Sequence, residues 1–133
     1  MWTEIHKNRK SSMAKKILVV EDERAIARVM ELKLRQVGFE VTVAVNGTEA
    51  TEALKTDSFD CVLLDLILPE KDGFSVLQHI RETDQDLKVI ILTNLGQPED
   101  RQRLQEMGIA GYYVKSEMSI YNLVTKIQEI VGI

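Results

Sequence analysis

A single cysteine in 133 residues excludes a framework of internal disulfides. Cys61 sits in an apolar run and reads as a small core side chain. No apolar run approaches the about 20 residues needed to cross a bilayer, and the amino end, Met1 to Lys10, lacks the apolar centre of a signal peptide. The expectation is a cytoplasmic protein with no membrane partner. Repeats, low-complexity tracts and an internal linker are also missing. Basic charge is scarce beyond the amino end: residues 1–16 carry net +4, whereas residues 17–133 carry 12 basic and 20 acidic side chains. Binding to a phosphate backbone needs clustered Lys and Arg, so the acidic body argues against direct contact with nucleic acid. A basic, flexible extension at 1–15 and one folded domain at 16–133 are expected, and 44% hydrophobic residues suffice for a single buried core.

What is present is an alternation of five short apolar runs with five helix-like segments. Lys16 to Val20 reads as a strand and leads into Glu21-Asp22-Glu23. Ile26, Val29, Met30, Leu34 and Val37 recur near helical spacing, and Gly38 stands where a C-cap glycine belongs. Glu40 to Val45 alternates weakly. Asn46 then caps a second helix running to about Lys55, with Glu49 at the capping-box position. Cys61-Val62-Leu63-Leu64 fits a strand buried on both faces, and such a strand excludes charge from its interior. Asp65 therefore belongs at its carboxyl end.

Pro69 lacks a backbone donor and Gly73 tolerates unusual dihedrals, so a constrained loop should follow Asp65 before a helix from about Gly73 to Glu82. Lys88 to Leu92 reads as a fourth strand closed by Thr93-Asn94, and Pro98 opens a fourth helix that ends before Gly108. Tyr112 to Val114 forms a short fifth strand ending at Lys115. Ser119 caps a last helix whose apolar face carries Ile120, Leu123, Val124, Ile127, Ile130 and Val131. Strict alternation predicts right-handed crossovers and an α/β parallel sheet covered on both faces. Ligands bind such sheets in the crevice beyond the carboxyl ends of the strands.

The polar residues that close these strands are Glu21-Asp22, Asp65, Thr93 and Lys115, and a parallel sheet sets them along one edge. Three carboxylates there repel one another unless a divalent cation or the lysine offsets the charge. Hard oxygen ligands with no His or Cys beside them favour Mg²⁺ over zinc.

Over residues 16 to about 131 the chain resembles the receiver domain of two-component response regulators, on Glu21-Asp22, Asp65, Pro69 with Gly73, Thr93 and Lys115 in that order. The resemblance implies a flavodoxin-like fold, a single doubly wound five-stranded parallel sheet of order 2-1-3-4-5 with five helices. It implies that Asp65 takes a phosphoryl group from a histidine kinase or histidine phosphotransfer protein. Asp22, Glu21, Asp65 and the backbone carbonyl of Ile67 would hold Mg²⁺, Lys115 would pair with one phosphoryl oxygen, and the Thr93 hydroxyl would bond another. Thr93 and Tyr112 would then move as a switch, and the face of helix four, strand five and helix five would select a downstream protein partner. On this reading the chain is a signalling switch, not an enzyme acting on other molecules.

Departures from the family pattern shape further expectations. Ser116 follows Lys115 where the family usually has proline, commonly after a cis bond, which leaves this bond trans or held at a cost. Asn94 replaces the common alanine after Thr93. No output domain follows Ile133, so a stand-alone receiver is expected, the alternative being a domain excised from a larger regulator or hybrid kinase, whose output domain in the longer chain would then be the partner. Ile67 and Leu95 are both apolar where the family's hydrolytic water would approach, which favours a long-lived phosphorylated state. The alternative is a receiver-like module that binds partners without phosphate. An aspartate-nucleophile phosphatase would want a second Asp where Ile67 stands, and a flavin-binding protein would want a Ser/Thr/Gly-rich loop after the first strand.

Overall fold

A computed structural model describes residues 14–94 and 98–132. Most of the basic stretch 1–15, as well as Leu95, lies outside the described residues. Among these, strands β1 (Lys16–Val20), β2 (Glu40–Ala44), β3 (Cys61–Leu64), β4 (Lys88–Thr93) and β5 (Gly111–Val114) form one parallel sheet in the order β2-β1-β3-β4-β5. They alternate with helices α1 (Arg24–Gln36), α2 (Gly47–Thr56), α3 (Gly73–Thr83), α4 (Pro98–Glu106) and α5 (Ile120–Val131). This is the doubly wound, flavodoxin-like arrangement, and its strand order reverses between β1 and β3.

The two-residue period of each strand divides the core in two. Leu18, Val20, Val62, Leu64, Val89 and Ile91 pack with Ala50, Val76, Leu77, Ile80 and Leu104 of α2, α3 and α4. Their strand neighbours Ile17, Val19, Cys61, Leu63, Ile90 and Leu92 pack with Met30, Leu34, Leu123, Val124 and Ile127 of α1 and α5. Covered on both faces, β1 and β3 need uninterrupted apolar runs. The edge strand β2 is partly exposed, so its pattern alternates.

Local chemistry sets the helix ends. Asn46 Oδ1 accepts the Glu49 N–H at 2.7 Å, and Glu49 Oε1 accepts the Val45 N–H at 3.0 Å, one residue before the cap itself. At the end of α1, Gly38 has φ of +100° and donates to Arg35 O at 3.0 Å, while Phe39 donates to Leu34 O at 3.1 Å. This doubled bond closes the helix and brings Phe39 into the same cluster as Leu34. Ser119 Oγ accepts the Asn122 N–H at 3.1 Å, as expected of a cap. Asp72 caps α3 through Ser75 N–H at 2.9 Å, a role the sequence reading did not assign.

Several strand boundaries differ from expectation by one residue: β2 ends at Ala44, short of Val45, and β5 begins at Gly111. Thr93 is the last residue of β4, and β5 ends at Val114, so Lys115 opens a 3-10 turn, Lys115–Glu117. No described peptide bond is cis, so Lys115–Ser116 is trans.

Candidate functional site

The sheet's hydrogen bonding continues one residue past β1 and β3 and fixes two acids. The Glu21 N–H donates to Ala44 O at 3.0 Å, and the Asp65 N–H donates to Val20 O at 3.1 Å. Each carboxylate then divides its oxygens in the same way. Glu21 Oε2 accepts the Glu23 N–H at 3.0 Å, and Asp65 Oδ1 accepts the Ile67 N–H at 3.1 Å. Their other oxygens, Glu21 Oε1 and Asp65 Oδ2, take Lys115 Nζ at 2.7 and 2.8 Å. Both acids are buried, and a short local bond leaves one oxygen of each facing the shared cation.

Burial pushes the Glu21 carboxyl above the ordinary glutamate value, helped by the Asp65 charge and opposed by its bonds to Lys115 and the Glu23 N–H. For Lys115, burial works against the charge, but its hydrogen bonds to Asp65 and Glu21 outweigh it and hold the ammonium above the ordinary lysine value. One carboxylate oxygen from each of Glu21, Asp22 and Asp65 lies within 4.8 Å of the others. Asp22 is the most exposed of the three. Among the described residues this is the one cluster of acids, His or Cys that converges in this way. An all-carboxylate set with no soft ligand fits a hard divalent cation.

The loop after Asp65 corrects the expectation for Gly73. Its φ is not positive; the left-handed residue in this loop is Glu70, at 71°. Glycine is required at 73 for space, because a Cβ there would collide with the Asp65 carbonyl oxygen and sit 2.6 Å from Leu66 Cα. The Gly73 N–H donates to Leu66 O at 2.9 Å, closing the loop against the strand end. A Cβ on Gly47 would likewise run into the backbone of Lys71, so α2 braces the same loop from outside.

Thr93 is fully buried at the end of β4, in register with Val114. Asp65 follows Leu64, whose partner is Ile91, so Thr93 lies one strand over and near the same edge. Tyr112 and Tyr113 fall on opposite faces: Tyr112 joins the α2–α4 side and Tyr113 the α1–α5 side. The Arg101 guanidinium stands 5.2 Å from the Tyr112 ring centroid. Burial raises the Tyr112 phenol, with Asp100 adding to the shift and Arg101 opposing it. Arg101, Tyr112, Tyr113, Glu117, Met118 and Asn122 help to line a groove of about 420 Å³ on this side of the molecule. Ile67 is 56% exposed.

The structure thus brings Glu21, Asp22, Asp65 and Lys115 together and sets Thr93 on the neighbouring strand. Sequence reasoning missed Glu23. In sequence it is one acid of the Glu21-Asp22-Glu23 run, yet its Oε1 lies 3.2 Å from Lys115 Nζ.

The family model for the response regulator receiver domain matches residues 17–128. The chain belongs to that family. The receiver domain is 39% identical over 112 residues to the uncharacterized transcriptional regulatory protein YkoG of Bacillus subtilis, covering 84% of this chain and 49% of that protein. It is 41% identical over 101 residues to the probable transcriptional regulator ycf27 of Cyanophora paradoxa, covering 76% of this chain and 42% of that one. The chain therefore spans under half the length of these curated relatives. Among solved structures, the receiver domain of Francisella response regulator 1452 superposes with a TM-score of 0.82 at 30% identity, covering 88% of this chain and 96% of that one. The receiver domain of the sensor histidine kinase PA1611 from Pseudomonas aeruginosa, described with a magnesium ion coordinated in its active site cleft, gives 0.79 at 29% identity, covering 90% and 99%. No described helix is long and apolar enough to cross a membrane.

Proposed function

We propose that this receiver domain is a phosphorylation switch whose acceptor is Asp65. The observation that carries the reading is the contact of Asp65 Oδ2 with Lys115 Nζ at 2.8 Å, at the carboxyl end of β3 and beside Glu21 and Asp22. An Asp65 oxygen attacks the phosphorus of a phosphohistidine on a histidine kinase or histidine phosphotransfer protein. The P–O bond forms as the P–N bond breaks, and the electron pair leaves with the imidazole. Lys115 pairs with a phosphoryl oxygen, and the Thr93 hydroxyl donates to another. Glu21, Asp22, Asp65 and the Ile67 carbonyl would hold Mg²⁺, which when bound offsets charge on the transferring group. The magnesium described in the PA1611 receiver supports that choice of ion.

The new charge on Asp65 then biases two arrangements of Thr93 and Tyr112. Tyr112 lines the groove beside Arg101 and Asn122, so the change reaches the α4–β5–α5 face, where a protein partner reads it. The protein turns over no other substrate: it takes up and hydrolyses its own phosphoryl group in the cytoplasm. The acidic body makes no direct nucleic-acid contact, and any contact of that kind falls to other segments or partners. Ile67, exposed and apolar beside Asp65, gives the hydrolytic water no polar hold, so the adduct should be long-lived.

Intact mass spectrometry after incubation with acetyl phosphate and Mg²⁺ tests the reading. One added phosphoryl group in the wild type and none in Asp65→Asn is expected, with slow decay once the donor is removed. A folded wild type that gains no mass would overturn it in favour of the phosphate-independent module.

A further inference from the structure

The Lys115 ammonium has three donors, and three separate carboxylates take them: Glu21 at 2.7 Å, Asp65 at 2.8 Å and Glu23 at 3.2 Å. Two of these acids also belong to the converging cluster, and Glu23 does not. A divalent cation among Glu21, Asp22 and Asp65 would compete with the ammonium for the same oxygens and repel it at short range. The ammonium would have to loosen its hold on Glu21 and Asp65. Glu23 is the acceptor left to it. It stands at the N-cap position of α1 but makes no side-chain cap hydrogen bond, and its side chain is 56% exposed, so no cap bond ties its carboxylate to the helix. Its bond to Lys115 is the longest of the three and has the most to gain when the other two weaken.

We propose that Glu23 is a positioning residue that receives the Lys115 ammonium when a divalent cation occupies Glu21, Asp22 and Asp65. The inference rests on the reading of those three acids as the Mg²⁺ site. Glu23 lowers the cost of displacing the lysine and keeps the ammonium at the mouth of the site, where an incoming phosphoryl group would meet it. It contacts neither the reacting atoms nor the cation.

The test is a double-mutant cycle read by calorimetric titration of Mg²⁺ into wild type, Glu23→Gln, Lys115→Met and the double variant, with no phosphodonor present. Glu23→Gln should bind Mg²⁺ about threefold more weakly than wild type, the scale that exposed ion pairs allow. In the Lys115→Met background, which itself should bind more tightly because the competitor is gone, the same substitution should change affinity by less than about 1.5-fold. An equal loss in both backgrounds would show that Glu23 acts only through its charge, and no loss in either would show that it does not act; each overturns the inference while leaving the Mg²⁺ site standing. A wild type that binds no Mg²⁺ removes the site and the inference together. Because Glu23 is exposed, folding of its variant is not at risk, and unfolding midpoints without cation check the other two.

Discussion

Acidic side chains gather at both ends of this sheet, and only at the carboxyl end do two buried ones share a lysine. At the amino end, Asp60 Oδ2 accepts the Lys16 N–H at 2.8 Å while the Asp60 N–H donates to Lys16 O at 2.8 Å, stitching the start of β1 to the approach to β3. Asp84 Oδ1 accepts the N–H groups of Asp86 and Leu87 at 2.8 and 3.0 Å and turns the chain from α3 into β4. With Asp86 these acids border a depression of about 310 Å³ that looks, by charge alone, as suited to a cation as the other end. At the carboxyl end, Glu21 and Asp65 each give one oxygen to a local amide and the other to a lysine that arrives from β5. A carboxylate held by backbone is locked for as long as the fold lasts. One held by a side chain can change partners, and changing partners is what a switch requires.

The largest expected contrast is in phosphoryl uptake. Asp65→Asn should abolish the mass adduct, whereas Asp84→Ala should leave its rate and extent unchanged, since its carboxylate serves a turn at the far end of the sheet. An Asp84→Ala variant that folds but fails to take phosphate would break the comparison.

Lys115→Met comes next, because it leaves the buried Glu21 and Asp65 without their shared cation. A loss of roughly 3 kcal/mol is expected at neutral pH, the scale for removing one member of a buried ion pair. The folded ammonium titrates above the ordinary lysine value of 10.5. Its contribution is therefore whole below that value and is lost as the pH rises through the folded pKa. Urea unfolding of wild type and variant should show a constant gap from neutral pH to near 10 that narrows at more alkaline pH. A gap unchanged at high pH would mean that Lys115 stabilises by packing its methylenes.

Asp84→Ala should cost less, about 1 kcal/mol for a turn whose two amide bonds return to water. The effect belongs in the unfolding midpoint alone. If Mg²⁺ affinity moved with it, the two ends would be coupled through the sheet and their separation would fail.

What the sequence made legible follows from the range of each interaction. Strands β1 and β3 announce themselves because both faces are covered, and Asn46 with Glu49, Gly38 and Ser119 act within a few residues of where they stand. The site acids were legible because each strand ends where its apolar run ends, and the sheet aligns those ends. Contacts between segments distant in the chain were not. Nothing in the local pattern tells that Glu23 reaches Lys115, or that Arg81 on α3 donates to the Met107 carbonyl at 3.0 Å and to the Gly108 carbonyl, closing the end of α4. Gly73 was noticed for the wrong reason: a glycine kept for lack of a Cβ and one kept for a positive φ look alike in sequence. Helix α4 itself has Leu104 as its one buried side chain, and Arg101 over Tyr112 and Arg103 at 4.1 Å from the Phe74 ring centroid are held by rings that only the fold supplies.

The smallest effect sharpens the comparison most, because Asp57 is the amino-end acid that resembles the site acids in pairing with a lysine. Asp57 Oδ1 meets Lys16 Nζ at 2.6 Å, with side chains 41% and 20% exposed, and also accepts the Ser58 N–H at 2.8 Å. Burial pushes the Asp57 carboxyl up, but the Lys16 and Ser58 bonds outweigh it and bring the net value below the ordinary 3.8. The contribution is thus present above 3.8 and is lost as the pH falls through the lower folded value. Solvent screens a pair this exposed, so Asp57→Asn should cost under about 1 kcal/mol at neutral pH. Added salt should shrink that cost. Wild type and variant should converge in acid, as read by urea midpoints at neutral pH and well below 3.8. A cost that persists in acid and in high salt would show that the Ser58 amide bond, which asparagine can keep only in part, matters more than the lysine. Asp57 would then join Asp60 and Asp84 among the backbone-held acids, and exchangeable pairing with lysine would be confined to the carboxyl end.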